Sequence, residues 1–110
     1  MADFVELTLD QGATYNSTIT VRDENGVAQN LVGYTARSQM RKSYYSSTKK
    51  DFTVTLTQPA NGQITMAMTA ANTANLSPGR YVYDVEIEDP SGDVTRIFEG
   101  IATVLPNVTR

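Results

Sequence analysis

Between Leu76 and Gly100 the chain reads LSPGRYVYDVEIEDPSGDVTRIFEG, with six carboxylates, two arginines and two tyrosines in 25 residues. Three kinds of chemistry use such a set. Two carboxylates of different pKa can act as general acid and base. Carboxylates converging from a loop can hold calcium. An acidic face can dock a basic partner. A second group lies upstream. Five of the nine basic residues, Arg37, Arg41, Lys42, Lys49 and Lys50, fall within 37–50, with Tyr44 and Tyr45 among them. Aromatic rings between cations suit a single-strand nucleic-acid clamp. They suit a protein-contact loop equally well, since Tyr and Arg anchor interfaces, and a plain solvated loop needs no partner at all.

The rest of the composition removes most of the chemistry. The chain has no His and no Cys, so the commonest general base, the commonest metal ligand and any disulfide framework are missing. Serines and threonines are numerous, but no His or paired Lys stands ready to activate them. No glycine-rich phosphate loop is present. We therefore expect a non-enzymatic chain with no catalytic residue, no metal and no cofactor. The net charge of −3 gives no basis for a nucleic-acid or anionic-membrane partner. No apolar run approaches a membrane span, and MADFVELTLDQG is not a signal peptide. Sequon-like triplets at Asn16 and Asn107 are read as chance in Thr-rich strands.

The elements that must position these residues are short alternating runs separated by turn signals. Segments 4–9, 14–22, 34–42, 51–57, 63–69, 80–88 and 94–105 each place apolar side chains on one face. A polar loop, SYYSSTKK, follows the third run, and VAQNLVG before it carries no clear pattern. Residues 70–76, AANTANL, are Ala-rich and preceded by Thr69, which predicts one or two helical turns with Thr69 as N-cap. Residues 1–110 thus form one all-β domain: an immunoglobulin-like β-sandwich of about seven antiparallel strands, with one short helix between the fifth and sixth carrying the chain between sheets. An up-and-down barrel is the alternative closure.

Within the last hairpin, DPSGD predicts a type I turn followed by Gly92 at positive φ. That turn pairs Asp89 with Asp93, Glu86 with Arg96, Val85 with Ile97 and Tyr83 with Glu99. Tyr81, Tyr83, Val85 and Ile87 then face the core, while Val82, Asp84, Glu86 and Glu88 face out, with Arg96 opposite Glu86. The acidic run becomes one solvent face. Alternating strand carboxylates sit about 7 Å apart, too far for a calcium cage. Glu99 conflicts with this register because it turns inward. Either a bulge near Gly100 restores its exposure, or it is buried against a donor such as Arg37 or Tyr34.

The order of motifs resembles small virion structural proteins of tailed bacteriophages. It is most similar to the immunoglobulin-like domain at the start of phage baseplate upper proteins and to their stand-alone relatives. The resemblance rests on DQGATYNSTITV leading into a D-x-x-G turn, on NLVGYTARSQMR with its Arg-bearing strand, on GQITMAMTAANTANL, and on GRYVYDVEIEDPSGDVTRIFEG. It covers nearly the whole chain. The resemblance implies a β-sandwich used for assembly, with no catalytic residue to carry over. Because the residues given stop at Arg110, no fibre or adaptor part is expected. The expectation is a capsid decoration (cement) protein or other stand-alone particle component, with a tail, neck or baseplate component as the alternative. It would be made in the host cytoplasm and located in the virion. Its partners would be a phage capsid or tail protein and further copies of itself on a symmetric particle. The candidate contact residues are Arg41, Lys42, Tyr44, Tyr45, Lys49, Lys50, Asp84, Glu86, Glu88 and Arg96. The basic and acidic clusters on separate strands suit head-to-tail self-association. A different class, a receptor- or glycan-binding sandwich, would use Tyr44 and Tyr45 as a sugar platform. LSPGRYVY also resembles the corner of fibronectin type III domains, where a Tyr hydroxyl bonds back to the chain.

Overall fold

The computed structural model describes residues 3–108. Its elements run β1 (Asp3–Phe4), β2 (Leu7–Asp10), β3 (Tyr15–Thr20), β4 (Thr35–Arg41), β5 (Lys49–Gln58), β6 (Gln63–Met68), helix α1 (Ala70–Ala74), β7 (Gly79–Glu88) and β8 (Val94–Leu105). The order across the sheet is β1-β8-β7-β4-β5-β6-β3, with β2 also on β8. The sheet folds over at β5. Residues Lys49–Phe52 of that strand pair with β4, and Thr53–Gln58 belong with β6. One long strand therefore serves both layers of an immunoglobulin-like sandwich. Their inner faces enclose a single core containing Leu9, Met40, Ile64, Met66, Val85 and Val104, all fully buried.

Three details differ from the sequence reading. The first predicted strand is split into β1 and β2 around Val5 and Glu6, which makes eight strands and puts the helix between β6 and β7. Both pieces run parallel to β8, so the sandwich is not wholly antiparallel. Parallel pairing joins segments at opposite ends of the chain, and no turn between them announces it. The patternless segment before β4 is tied down rather than loose. Leu31 is fully buried and its amide donates to the Pro59 carbonyl at 2.7 Å, while the Asp23 carboxylate caps the amides of Asn25 and Val27.

Helix α1 carries the chain from β6 in one layer to β7 in the other. The Thr69 hydroxyl accepts from the Asn72 amide, as an N-cap should. The buried Thr73 hydroxyl donates to the carbonyl of Ala13 at 2.8 Å, which fastens the helix to the loop after β2. The sequon at Asn107 runs into Thr109, which lies outside the described residues.

Candidate functional site

The β7–β8 hairpin has the predicted tip. The Asp89 amide donates to the Asp93 carbonyl at 2.9 Å, and the Asp89 carboxylate accepts from the amides of Ser91 and Asp93. Gly92 has φ of 93°, the left-handed conformation that the turn demands. Pairing proceeds as expected through Ile87 with Thr95 and Glu86 with Arg96, then shifts by one residue. Val85 pairs with Phe98, Asp84 with Glu99 and Tyr83 with Gly100. The bulge thus absorbs Ile97 rather than sitting at Gly100, and it turns Phe98 into the core and Glu99 out to the acidic face.

Gly100 has a different task. A Cβ built there would lie 2.2 Å from the Val5 carbonyl oxygen. The chain between β1 and β2 crosses directly over this position, close enough that only glycine fits. The same carbonyl accepts the Tyr83 hydroxyl at 2.6 Å, and the Val5 amide donates to the Glu99 carbonyl. Burial, and then the nearby Tyr15, push the Tyr83 phenol up to about 12. One step along β7, the Tyr81 hydroxyl donates back to the Ser77 carbonyl at 2.8 Å, the corner bond expected from LSPGRYVY.

The outer face of the sheet carries most of the candidate residues, but the ion pairs differ from the expected one. Glu86 stands opposite Arg96, yet its carboxylate accepts from Arg37 at 3.1 Å across the β4–β7 ladder. Arg37 also reaches Glu88 at 3.3 Å, and the two glutamates raise its pKa. Arg96 turns instead to Asp84 at 3.4 Å, with Glu99 at 3.9 Å. The reason is topological. β4 lies beside β7, with Arg37 opposite Glu86 and Gln39 opposite Asp84. β4 and β7 are therefore neighbours within one face, where Arg37 of the basic group is paired with the acidic strand. Arginines sit between the carboxylates, and among the described residues no group of three ligands converges on a metal position.

This face forms a shallow groove of about 350 Å³ lined by Arg37, Gln39, Tyr44, Asp84, Glu86 and Arg96. Asp84 is held above its ordinary pKa, first by desolvation and then by Glu86, with Arg96 opposing. The groove unites Asp84, Glu86 and Arg96 with Tyr44 and Arg41. Glu88 lies further along β7 beside Arg37, towards the hairpin tip.

The other basic candidates gather at one end of the sandwich, where β4 stops and β5 starts. Arg41 donates to the Ser46 carbonyl and to Gln39, which folds the 42–48 loop back onto its strand. Tyr44 and Tyr45 project from that loop, 72% and 98% exposed. Lys49 pairs with Asp51 at 3.2 Å. Lys42 and Lys50 frame a second recess of about 280 Å³, backed by Met40, Leu76, Ser77 and Tyr81. The Lys42 ammonium lies 4.3 Å from the Tyr81 ring centroid, a cation–π contact. Two participants escaped sequence reasoning. Arg37 was legible as a cation but not as the partner of Glu86. Tyr81 was legible as a corner residue but not as the floor beneath Lys42.

No family model matches the chain, and no curated protein does. Among solved structures, an internalin-like protein of Listeria monocytogenes aligns at 20% identity and TM-score 0.49, over 94% of this chain and 28% of that one. A family 123 glycoside hydrolase from Clostridium perfringens aligns at 14% identity and TM-score 0.43, over 98% of this chain and 24% of that one. The chain thus spans about a quarter of each of these proteins. Neither likeness is close enough to transfer an activity or a partner.

Proposed function

We propose that this chain is a non-enzymatic structural component of a tailed-phage virion, acting as a capsid decoration protein bound in many copies to a larger shell protein. One observation carries the contact-module part of this reading. Most of the large exposed aromatic and apolar side chains lie at the ends of the sandwich, Tyr44, Tyr45 and Leu105 at one and Val27, Val32 and Val94 at the other, with Phe4 exposed on the edge strand between them. Large exposed apolar side chains in groups mark contact surfaces, and Tyr is among the side chains that anchor them. The charges on the sheet face between the ends are paired internally, four carboxylates sharing two arginines. The virion setting rests on the resemblance in motif order. A tail, neck or baseplate position uses the same surfaces.

The test is to locate the protein by electron microscopy in particles of a phage that encodes it. Ordered density for the sandwich on the shell, in many copies, is expected. Failure to co-purify with particles sinks the virion reading, and density only on the tail replaces decoration with the tail alternative.

A glycan-binding module is the second reading, favoured by the placement of Tyr44 as one wall of a groove whose other walls are hydrogen-bonding side chains. An aromatic wall with convergent polar groups is the chemistry of a sugar subsite. Glycan-array binding that is lost in Tyr44→Ala supports it, and an array without signal removes it.

A further inference from the structure

The strand registers give the sandwich two chemically different ends. Arg41, Lys49, Gly79 and Leu105 lie at one end, and Thr35, Gln58, Glu88 and Val94 at the other. The molecule measures 42 Å in its long dimension, close to the roughly 40 Å that twelve-residue β8 spans at about 3.3–3.4 Å per residue. The ends therefore sit at opposite poles.

The charges without an ion-pair partner among the described residues lean opposite ways at the two poles: Lys42, Lys50 and Arg80 outweigh Asp10 at the loop pole, and Asp93 and Glu24 outweigh Arg22, which donates to the Gly26 carbonyl, at the hairpin pole. At the loop pole, neither Lys50 nor Lys42 has an acidic partner among the described residues, and the Lys42 ammonium lies over the Tyr81 ring beside Gly79. At the hairpin pole, the carboxylates of Asp93 and Glu24 have no partner among the described residues. Asp89, by contrast, uses its carboxylate to lock the turn, so Asp93 is presented on a rigid tip. The tip is braced from below by the loop that carries Leu31, since Gly33 lies directly against Pro90. A preorganised tip loses little entropy on docking. The recess between Lys42 and Lys50, at about 280 Å³, lies just under the roughly 300–1,000 Å³ of small-molecule sites. It suits one or two side chains rather than a whole ligand. Exposed apolar surface accompanies both partners: Tyr44 and Tyr45 on the loop that follows Lys42, and Val94 and Val32 near the tip.

We infer that copies of this chain associate head to tail, the acidic hairpin tip of one copy seated in the lysine-framed recess of the next. A second copy is the occupant because recess and tip belong to the same chain, at opposite poles, with opposite unpaired charge. Such a contact is heterologous. It repeats along the long axis or closes into a ring, and it does not pair two-fold. The inference deepens the assembly reading above and rests on it for its biological setting.

Sedimentation velocity over a concentration series tests it. At about 10 mM salt, where the Debye length is about 30 Å, the wild-type chain forms dimers and longer species. At about 500 mM salt, with screening within a few ångströms, the same sample is monomeric. Lys50→Glu and Asp93→Lys, each folded by far-ultraviolet circular dichroism, each lower the association constant about tenfold or more at low salt. An equimolar mixture of the two restores association, because each reversed recess then meets a complementary tip. The inference is overturned by a wild-type chain that stays monomeric at low salt and millimolar concentration. It is also overturned by association indifferent to salt, by Lys50→Glu associating like wild type, or by a folded mixture that stays monomeric. A monomeric chain that still co-purifies with particles removes this contact alone. Association without particle binding removes only the virion reading.

Discussion

Gly100→Ala is the sharpest probe of how this sandwich closes. The new methyl would lie 2.2 Å from the Val5 carbonyl oxygen and 3.0 Å from its carbon. These are backbone atoms, so no side-chain rotation relieves the contact. The glycine's φ of 159° is nearly extended, and the cost is therefore steric rather than conformational. Overpacking of this kind costs about 1–3 kcal/mol. If the β1–β2 crossing moves away instead, the Tyr83 hydroxyl loses Val5, and the Val5 amide loses Glu99. Each lost hydrogen bond is worth about 1 kcal/mol. Either route leads to a loss of about 1–3 kcal/mol, or roughly 5–20 °C in Tm for a domain of this size. Urea denaturation measures it, with hydrogen exchange at the Val5 amide reporting the local detachment. Gly92→Ala is the control, because its Cβ meets nothing within 4 Å and only the positive φ of 93° opposes it. That variant should lose about 1 kcal/mol. A Gly100→Ala chain no less stable than Gly92→Ala, with unchanged protection at Val5, would refute the close-crossing argument.

Alkaline pH gives an independent reading of the same contact. The Tyr83 phenol is raised above its unfolded value of about 10, so its contribution is fully present below pH 10 and is lost as pH rises towards about 12. Discounted for solvent access at the hydroxyl, the loss is roughly 1–2 kcal/mol and should shrink in Tyr83→Phe, as followed by denaturation at stepped pH. Asp84 has the opposite meaning for an acid. Its raised pKa means that ionisation at neutral pH opposes folding slightly, so the sign favours the protonated form as pH falls through its folded value. Asp84→Asn should therefore leave stability at pH 7 unchanged or slightly higher, despite the lost contact with Arg96, and a clear loss would show that the pair dominates. Thr69→Ala removes the cap of α1 and should cost about 0.5–1 kcal/mol by thermal melting, at the lower end for N-caps because the helix is so short.

What could be read from the sequence was what the chain decides locally. Gly92 and Asp89 specify the hairpin tip because a turn's dihedral angles and its first amide partners lie within five residues. Thr69 specifies the start of α1 for the same reason. Alternation gave which side chains of β7 face the core, since the pleat has a period of two, whereas in β8 the bulge reverses the predicted facing from Phe98 onward. Alternation also exposed its own failure at Glu99, where a polar residue fell on the apolar face. That conflict pointed either to a bulge near Gly100 or to a buried carboxylate, and the bulge lies instead at Ile97. Tertiary structure decided who stands beside whom. The alternation of β4 shows that Arg37 faces out, but only the choice of β4 as the neighbour of β7 turns Arg37 into the partner of Glu86 and Glu88. The parallel seating of β1 and β2 on β8 joins residues nearly a full chain apart, and it alone explains why position 100 must be glycine. Hydrogen bonds and pleats act over a few residues and leave their mark in the sequence. Strand neighbours are selected by the packing of the whole core, and so the acidic face's partners, the lysine-framed recess and the polarity of the two ends appear only once the chain is folded.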